Sequence, residues 1–95
     1  MSAKQRIDVW LFRARFVKTR AAAARLIAEG GARIVHDGVA RRIEKPSVEV
    51  TPGDALLFPV SGRLVAVRVE GLGVRRGPAA EARLLYSELD ADAVA

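Results

Sequence analysis

The spacing of the apolar residues changes once along this chain, at Gly30-Gly31. Before this pair, apolar residues recur three and four positions apart, as they do on one face of a helix. After it, short β-type runs follow one another between turn residues. A chain of 95 residues with one such change has room for a single domain. We therefore expect an α+β fold, with helices first and a small, mainly antiparallel sheet downstream.

Two short helices are predicted before the glycine pair. The apolar stripe of the first is formed by Ile7, Trp10, Leu11 and Ala14. This stripe places the first helix between about residues 6 and 15 and predicts a core position for the Trp10 ring. The second helix begins after Thr19, whose hydroxyl can cap its first turn, and ends at the glycines. Because the link has only three residues, the helices should form a compact hairpin.

The downstream residues predict three strands, at positions 32–35, 56–60 and 64–69. Asp37-Gly38 and Ser61-Gly62 are typical of the turns that close β-hairpins. The polar segment 40–46 predicts a loop. After Pro78, which suits the first turn of a helix, a C-terminal helix is expected to pack through Leu84, Leu85 and Leu89.

Positive charge is concentrated in the first part of the chain. Residues 1–42 contain ten Lys and Arg against three acidic residues, whereas residues 43–95 contain six against eight. A basic face of this kind is typical of proteins that bind a polyanion, and in the cytosol the usual polyanion is nucleic acid. RNA, DNA and an acidic protein all remain open as partners at this point.

The candidate binding residues lie on and beside the predicted hairpin. Lys18 and Arg20 flank the start of the second helix, where unpaired backbone amides add partial positive charge and a phosphate can bind. Arg6, Arg13 and Arg20 lie off the apolar stripes, so we expect their guanidinium groups to reach a ligand. Phe16 can stack on an unpaired base or pack at the rim of the hairpin. The candidates are Arg6, Arg13, Arg15, Phe16, Lys18, Thr19, Arg20, Arg25, Arg41, Arg42 and Lys45.

The residue inventory argues against an enzyme. The chain has no cysteine and one histidine, His36, so a thiolate metal site and a Cys–His pair are excluded. Asp8 stands among arginines, which predicts a structural ion pair in place of proton transfer. No glycine-rich phosphate loop precedes a helix. We therefore expect no catalytic residue, no metal and no cofactor.

Six short pieces of sequence, in order, resemble the RNA-binding domain of small-subunit ribosomal protein four, also called the αL motif. They are Arg6-Ile7-Asp8, Phe16-Val17-Lys18-Thr19-Arg20, residues 23–30, Asp37-Gly38, Pro46-Ser47 and Pro52-Gly53-Asp54. The resemblance covers residues 6–60. It implies a helical hairpin packed on a small sheet and recognition of RNA by shape and charge. Residues 61–95 are then expected to complete the same domain with a hairpin strand and the added helix.

A second block is similar to ribosome-associated heat-shock members of this family. It consists of Arg75-Arg76-Gly77-Pro78-Ala79, Glu81-Ala82 and Leu84-Leu85-Tyr86. This likeness adds Arg75 and Arg76 to the candidates. It implies structured ribosomal RNA on the large ribosomal subunit as the partner, with transfer RNA as a further candidate. We expect a monomer. We expect it in the cytoplasm, because no secretory signal pattern opens the chain and no apolar run approaches the roughly 18 residues of a membrane span.

Two other classes of protein fit part of this sequence. One is a protein-interaction module that docks an acidic partner through the basic edge, and it would show little RNA affinity at physiological salt. The other is an RNA-modifying enzyme reduced to one domain. That class would need a paired acid, base or nucleophile, which the sequence does not offer.

Overall fold

The computed structural model describes residues 3–94. A short strand β1 (Gln5–Arg6) leads into helices α1 (Ile7–Arg13) and α2 (Arg20–Ala28). Five strands follow: β2 (Ala32–His36), β3 (Val39–Ile43), β4 (Glu49–Val50), β5 (Ala55–Val60) and β6 (Arg63–Val69). The C-terminal part contains α3 (Ala79–Ala82), a 3₁₀ turn (Arg83–Leu85), β7 (Tyr86–Glu88) and α4 (Ala91–Val94).

The predicted helical hairpin is present, and its second helix begins and ends as expected. The Thr19 hydroxyl accepts a hydrogen bond from the Ala22 amide at 2.9 Å, which satisfies one of the amides left open at the start of α2. Gly30, with φ of 85°, follows the helix end. The first helix ends two residues earlier than predicted. Arg15 has φ of 67°, a left-handed conformation that an α-helix cannot contain.

The main sheet has five antiparallel strands in the order β3-β2-β5-β6-β7, and β1 pairs with β4 separately. Both predicted hairpin turns are confirmed. In each, two residues with positive φ join paired neighbours: Asp37-Gly38 connects His36 to Val39, and Ser61-Gly62 connects Val60 to Arg63. Two-residue loops with two positive φ angles match the right-handed twist of the strands that they join.

Two sequence expectations were wrong in extent. The polar segment 40–46 was expected as a loop, yet residues 40–43 continue β3, which pairs with β2 along its whole length. The helix after Pro78 lasts only four residues before the 3₁₀ turn, and Leu84, expected to pack, is 76% exposed. Tyr86–Glu88 instead extends the sheet by pairing with β6. The edge position of β7 depends on this distant partner, which local sequence does not reveal.

The hydrophobic core lies between the helical hairpin and one face of the sheet. Trp10 is fully buried there, as predicted, together with Ile7 and Leu11 of α1, Ile27 of α2 and Phe58 of β5. On the opposite face, Leu57 and Ala66 are also buried, and α4 lies against β5 and β6. No helix between Ala3 and Val94 combines the length and apolar character that crossing a membrane requires.

Candidate nucleic-acid interface

Exposed cations on α2 and just before it have no acidic partner within the described residues 3–94. Lys18 precedes the helix cap, Arg20 is the first helical residue and Arg25 follows after more than one turn. All three side chains are exposed, and none forms an ion pair with any residue between positions 3 and 94. Because the start of a helix adds partial positive charge, this surface is suited to bind phosphate.

Arg6 is not free in the way its sequence position suggested. Its guanidinium donates to both carboxylate oxygens of Asp8, at 3.1 and 3.0 Å. Asp8 is almost fully buried and also accepts from the Val9 amide. The predicted ion-pair role of Asp8 is therefore confirmed. Half of the Arg6 side chain remains exposed, so part of it still contributes to the basic surface.

Residues 71–77, which we call the strap, cross the helical hairpin and are bonded to it through backbone carbonyls. The Gly71 carbonyl accepts from the Trp10 indole at 2.9 Å, and the Gly73 carbonyl accepts from Arg13 at 2.6 Å. The Gly77 carbonyl accepts from Arg15 at 2.7 Å. Arg13 and Arg15 were expected to face a ligand, and instead their guanidinium groups hold the strap.

Arg76 forms the reverse connection, from the strap to the hairpin. Its guanidinium donates to the Phe12 carbonyl at 3.2 Å and to the Val17 carbonyl at 3.3 Å, and lies 5.1 Å from the centre of the Phe12 ring. These contacts satisfy carbonyls at the end of α1 and in the link. Arg75 pairs with Glu81 at 2.8 Å on the surface. Arg76 thus fixes the segment that carries Lys18.

Phe16 is half-buried and packs with three aromatic rings. The distances between ring centres are 5.9 Å to Trp10, 5.1 Å to Phe58 and 4.6 Å to Tyr86. This geometry corresponds to the packing alternative at the hairpin rim. Base stacking by Phe16 stays a prediction, and it would use only the exposed part of the ring.

The remaining candidates, Arg41, Arg42 and Lys45, are exposed on β3 and just after it. Adjacent residues of a strand point to opposite faces, so Arg41 and Arg42 do not face one ligand. Arg42 is paired in register with Arg33 of β2. Arg33 is not among the candidates predicted from the sequence. The signal was available, because Ala32 and Ile34 alternate as buried residues and leave Arg33 on the other face.

His36 and Asp54 form a polar pair away from α2. Nδ1 of His36 lies 2.5 Å from Oδ1 of the buried Asp54, and Nε2 lies 3.3 Å from Asp37. The hydrogen bond to Asp54 and the charges of both carboxylates raise the pKa of His36, against smaller opposing effects of desolvation and of Lys4. Asp54 also accepts from the Thr51 amide, so it orders the turn that precedes β5. In the part of the chain that is described, no three acidic, His or Cys side chains gather as metal ligands would.

A helical hairpin with a cationic second helix, packed on an antiparallel sheet, defines the class of S4-type RNA-binding domains. The S4 domain family model matches residues 5–34, which run from β1 into β2. This match includes the α2 surface and the link that precedes it.

Individual relatives define the family more closely. Heat shock protein 15 of Escherichia coli K12 is 42% identical over 83 residues, which are 87% of this chain and 59% of the relative. Heat shock protein 15 of Escherichia coli O157:H7 gives the same values. The chain thus spans 59% of the length of these relatives. A solved trimeric structure of Vibrio cholerae heat shock protein 15 is 30% identical, with a TM-score of 0.79, and the match covers 92% of this chain and 83% of that one. This chain belongs to the heat shock protein 15 family.

Proposed function

We propose that this protein binds structured ribosomal RNA, and that its principal target is the free large ribosomal subunit. The observation that carries the proposal is the positive charge of Lys18 and Arg20 at the exposed start of α2 and of Arg25 in its last turn, which no ion pair with residues 3–94 neutralises, in a chain of the heat shock protein 15 family. The protein acts in the cytoplasm, by binding alone and without a cofactor.

The phosphates of the RNA bind first at the start of α2. Lys18 and Arg20 form charge-assisted hydrogen bonds there, while the cap residue Thr19 keeps the first turn in place. Arg25, Arg41, Arg42 and Lys45 enlarge the basic surface. Arg6, Arg13, Arg15, Phe16, Arg75 and Arg76 act mainly by holding the hairpin and strap, and the exposed parts of their side chains add to the electrostatic field.

The partner is tested by sucrose-gradient sedimentation of a cell lysate, with the protein followed by antibody. The full chain is expected with free large subunits and much less with small subunits.

Arg20→Ala should weaken binding by about 1–3 kcal/mol, because a charge-assisted contact is lost, while stability changes little. Arg83→Ala removes the same charge from the C-terminal 3₁₀ turn and serves as the matched control.

Two results would contradict the proposal. The first is sedimentation of the full chain only in ribosome-free fractions, which would favour a protein-interaction module. The second is recovery chiefly with small subunits. The binding unit is a monomer in this proposal, so light scattering of the unbound protein should give the mass of one chain. A stable trimer, as in the Vibrio cholerae structure, would contradict the monomer. The binding unit would then present three helical hairpins to the RNA.

A further inference from the structure

We propose that the face of the sheet turned away from α1 and α2 holds a second binding site for the same RNA, in which Arg33 and Arg42 bind the phosphate of one unpaired nucleotide. The inference rests on the proposed RNA-binding function and extends it to a surface on the far side of the molecule. It comes from the register of β2 and β3, which makes these two arginines direct neighbours.

The two arginines are cross-strand neighbours, and the acidic side chains among residues 3–94 neutralise them only weakly. Residues opposite each other in an antiparallel pair have Cβ atoms about 4.5–5.5 Å apart, and like charges there destabilise the sheet. Arg42 has one acidic neighbour, Glu44, at 3.7 Å, but their side chains are 65% and 66% exposed, so the attraction is weak. Arg33 forms no ion pair with residues 3–94. An anion bound between the two would relieve their repulsion.

The surroundings of the pair suit a nucleotide. A surface cavity of about 480 Å³ elsewhere has three acidic residues beside Lys4 and Arg41 in its lining, whereas the cavity of about 430 Å³ here is lined by Gly31, Arg33, Arg42, Leu57 and Leu64. No acidic residue lines this second cavity. Leu64 is 52% exposed and offers an apolar wall for a base. Arginine is the cation that best matches a phosphate, through its planar set of donors, and its plane can also stack on a base.

The proposed site is continuous with the α2 surface. Gly30, just after α2, lines a groove together with Lys18 and Arg25. A Cβ placed on Gly30 would lie 3.8 Å from Nη2 of Arg42, so the arginine reaches around to the end of the helix. An RNA strand bound along α2 can therefore follow this groove past Glu29, the one acidic residue in its lining, to the arginine pair.

The experiment compares the full chain with Arg33→Ala, Arg42→Ala and the double variant. Affinity for a ribosomal RNA fragment with an unpaired segment is measured over a series of salt concentrations, and stability is measured by urea unfolding. Each single variant should lose roughly tenfold in affinity. The double variant should also reduce the log–log salt slope by roughly 0.7–0.9, because the one phosphate contact disappears, and each single variant should reduce the slope by less. The unfolding midpoint should stay equal or rise, because like-charge repulsion is removed.

Two further variants sharpen the result. Arg68→Ala removes a charge from the same face of β6, roughly 12 Å from Arg33 by strand spacing, and should leave the salt slope unchanged. The double change Arg33→Lys and Arg42→Lys keeps both charges and the sheet register. It should keep the slope while losing part of the affinity, because the planar donors are gone.

Unchanged affinity and slope in the double alanine variant would overturn this proposal, and so would an equal loss in Arg68→Ala. If Arg20→Ala still weakens RNA binding in the same assay, the proposed RNA binding by α2 is supported without a second site. Absence of RNA binding by the unmodified protein would instead overturn the proposed function itself.

Discussion

Trp10 shows how one side chain joins distant parts of this chain. Its ring is fully buried, and its indole donates to the carbonyl of Gly71. Trp10→Ala should therefore lower the free energy of unfolding by about 3–5 kcal/mol, through lost burial and a cavity. Urea unfolding followed by circular dichroism measures this change. Leu84→Ala, at an exposed apolar position, is the control and should shift stability by no more than about 0.5 kcal/mol. A fully stable Trp10→Ala protein that no longer binds RNA would mean that the ring contacts a base.

His36 should make stability depend on pH. Its pKa is raised in the folded state, so its protonated form is favoured there over the unfolded chain. The resulting stabilisation is complete below the unfolded value of about 6.5 and is lost as the pH rises through the raised folded pKa. Melting temperatures are measured from about pH 5 to about pH 9, which brackets the unfolded value. The melting temperature should fall with rising pH in the parent protein and not in His36→Gln. Parallel curves for both proteins would contradict the assignment.

At the level of single residues, the sequence predicted burial better than it predicted the partners of arginines. Trp10 was identified as a core residue because it lies on the helical stripe. Arg13 and Arg15 looked equally available for RNA, but they bond carbonyls about sixty positions away, at separations of 60 and 62 residues. No local pattern encodes such a partner.

The contacts between the strap and the helical hairpin can be tested through Arg76. Arg76→Ala should lower RNA affinity several-fold, because the carbonyls of Phe12 and Val17 lose their donor and the link that carries Lys18 becomes less ordered. A positioning role leaves the number of phosphate contacts unchanged, so the salt slope of binding should stay the same. A direct RNA contact would instead reduce the slope by roughly 0.7–0.9. Arg75→Ala, next along the strap and paired with Glu81 at the surface, is the matched control.

Elements with a local signal were predicted well, and elements defined by distant pairing were not. Thr19 and Gly30 mark the two ends of α2, and Asp37-Gly38 marks the turn of the β2–β3 hairpin. In contrast, β3 is an edge strand with four exposed residues, so it lacks the alternation that identifies a strand with one buried face. The three residues of β7 become a strand only because β6 is beside them.

For the whole molecule, the strength of RNA binding should fall steeply with salt. Each neutralised phosphate contributes roughly 0.7–0.9 to the log–log slope, so about five contacts give a slope near four. A fluorescence-anisotropy titration with structured RNA from low to moderate salt measures it. A duplex DNA of the same sequence distinguishes recognition of RNA from general attraction to a polyanion. A slope near zero would exclude an electrostatic mechanism.

Under the proposed function, the strap also has a consequence for when this protein becomes able to bind RNA during its synthesis. The helical hairpin leaves the ribosome first during synthesis, but the carbonyls of Gly71, Gly73 and Gly77 and the Arg76 side chain are made later. A nascent chain that ends before residue 71 has the cations of α2 without the contacts that fix their arrangement. Since long-range contacts form only after their second partner has been translated, folding of the hairpin is completed late. The proposed function therefore predicts that full competence for RNA is reached only after residues 71–77 have emerged.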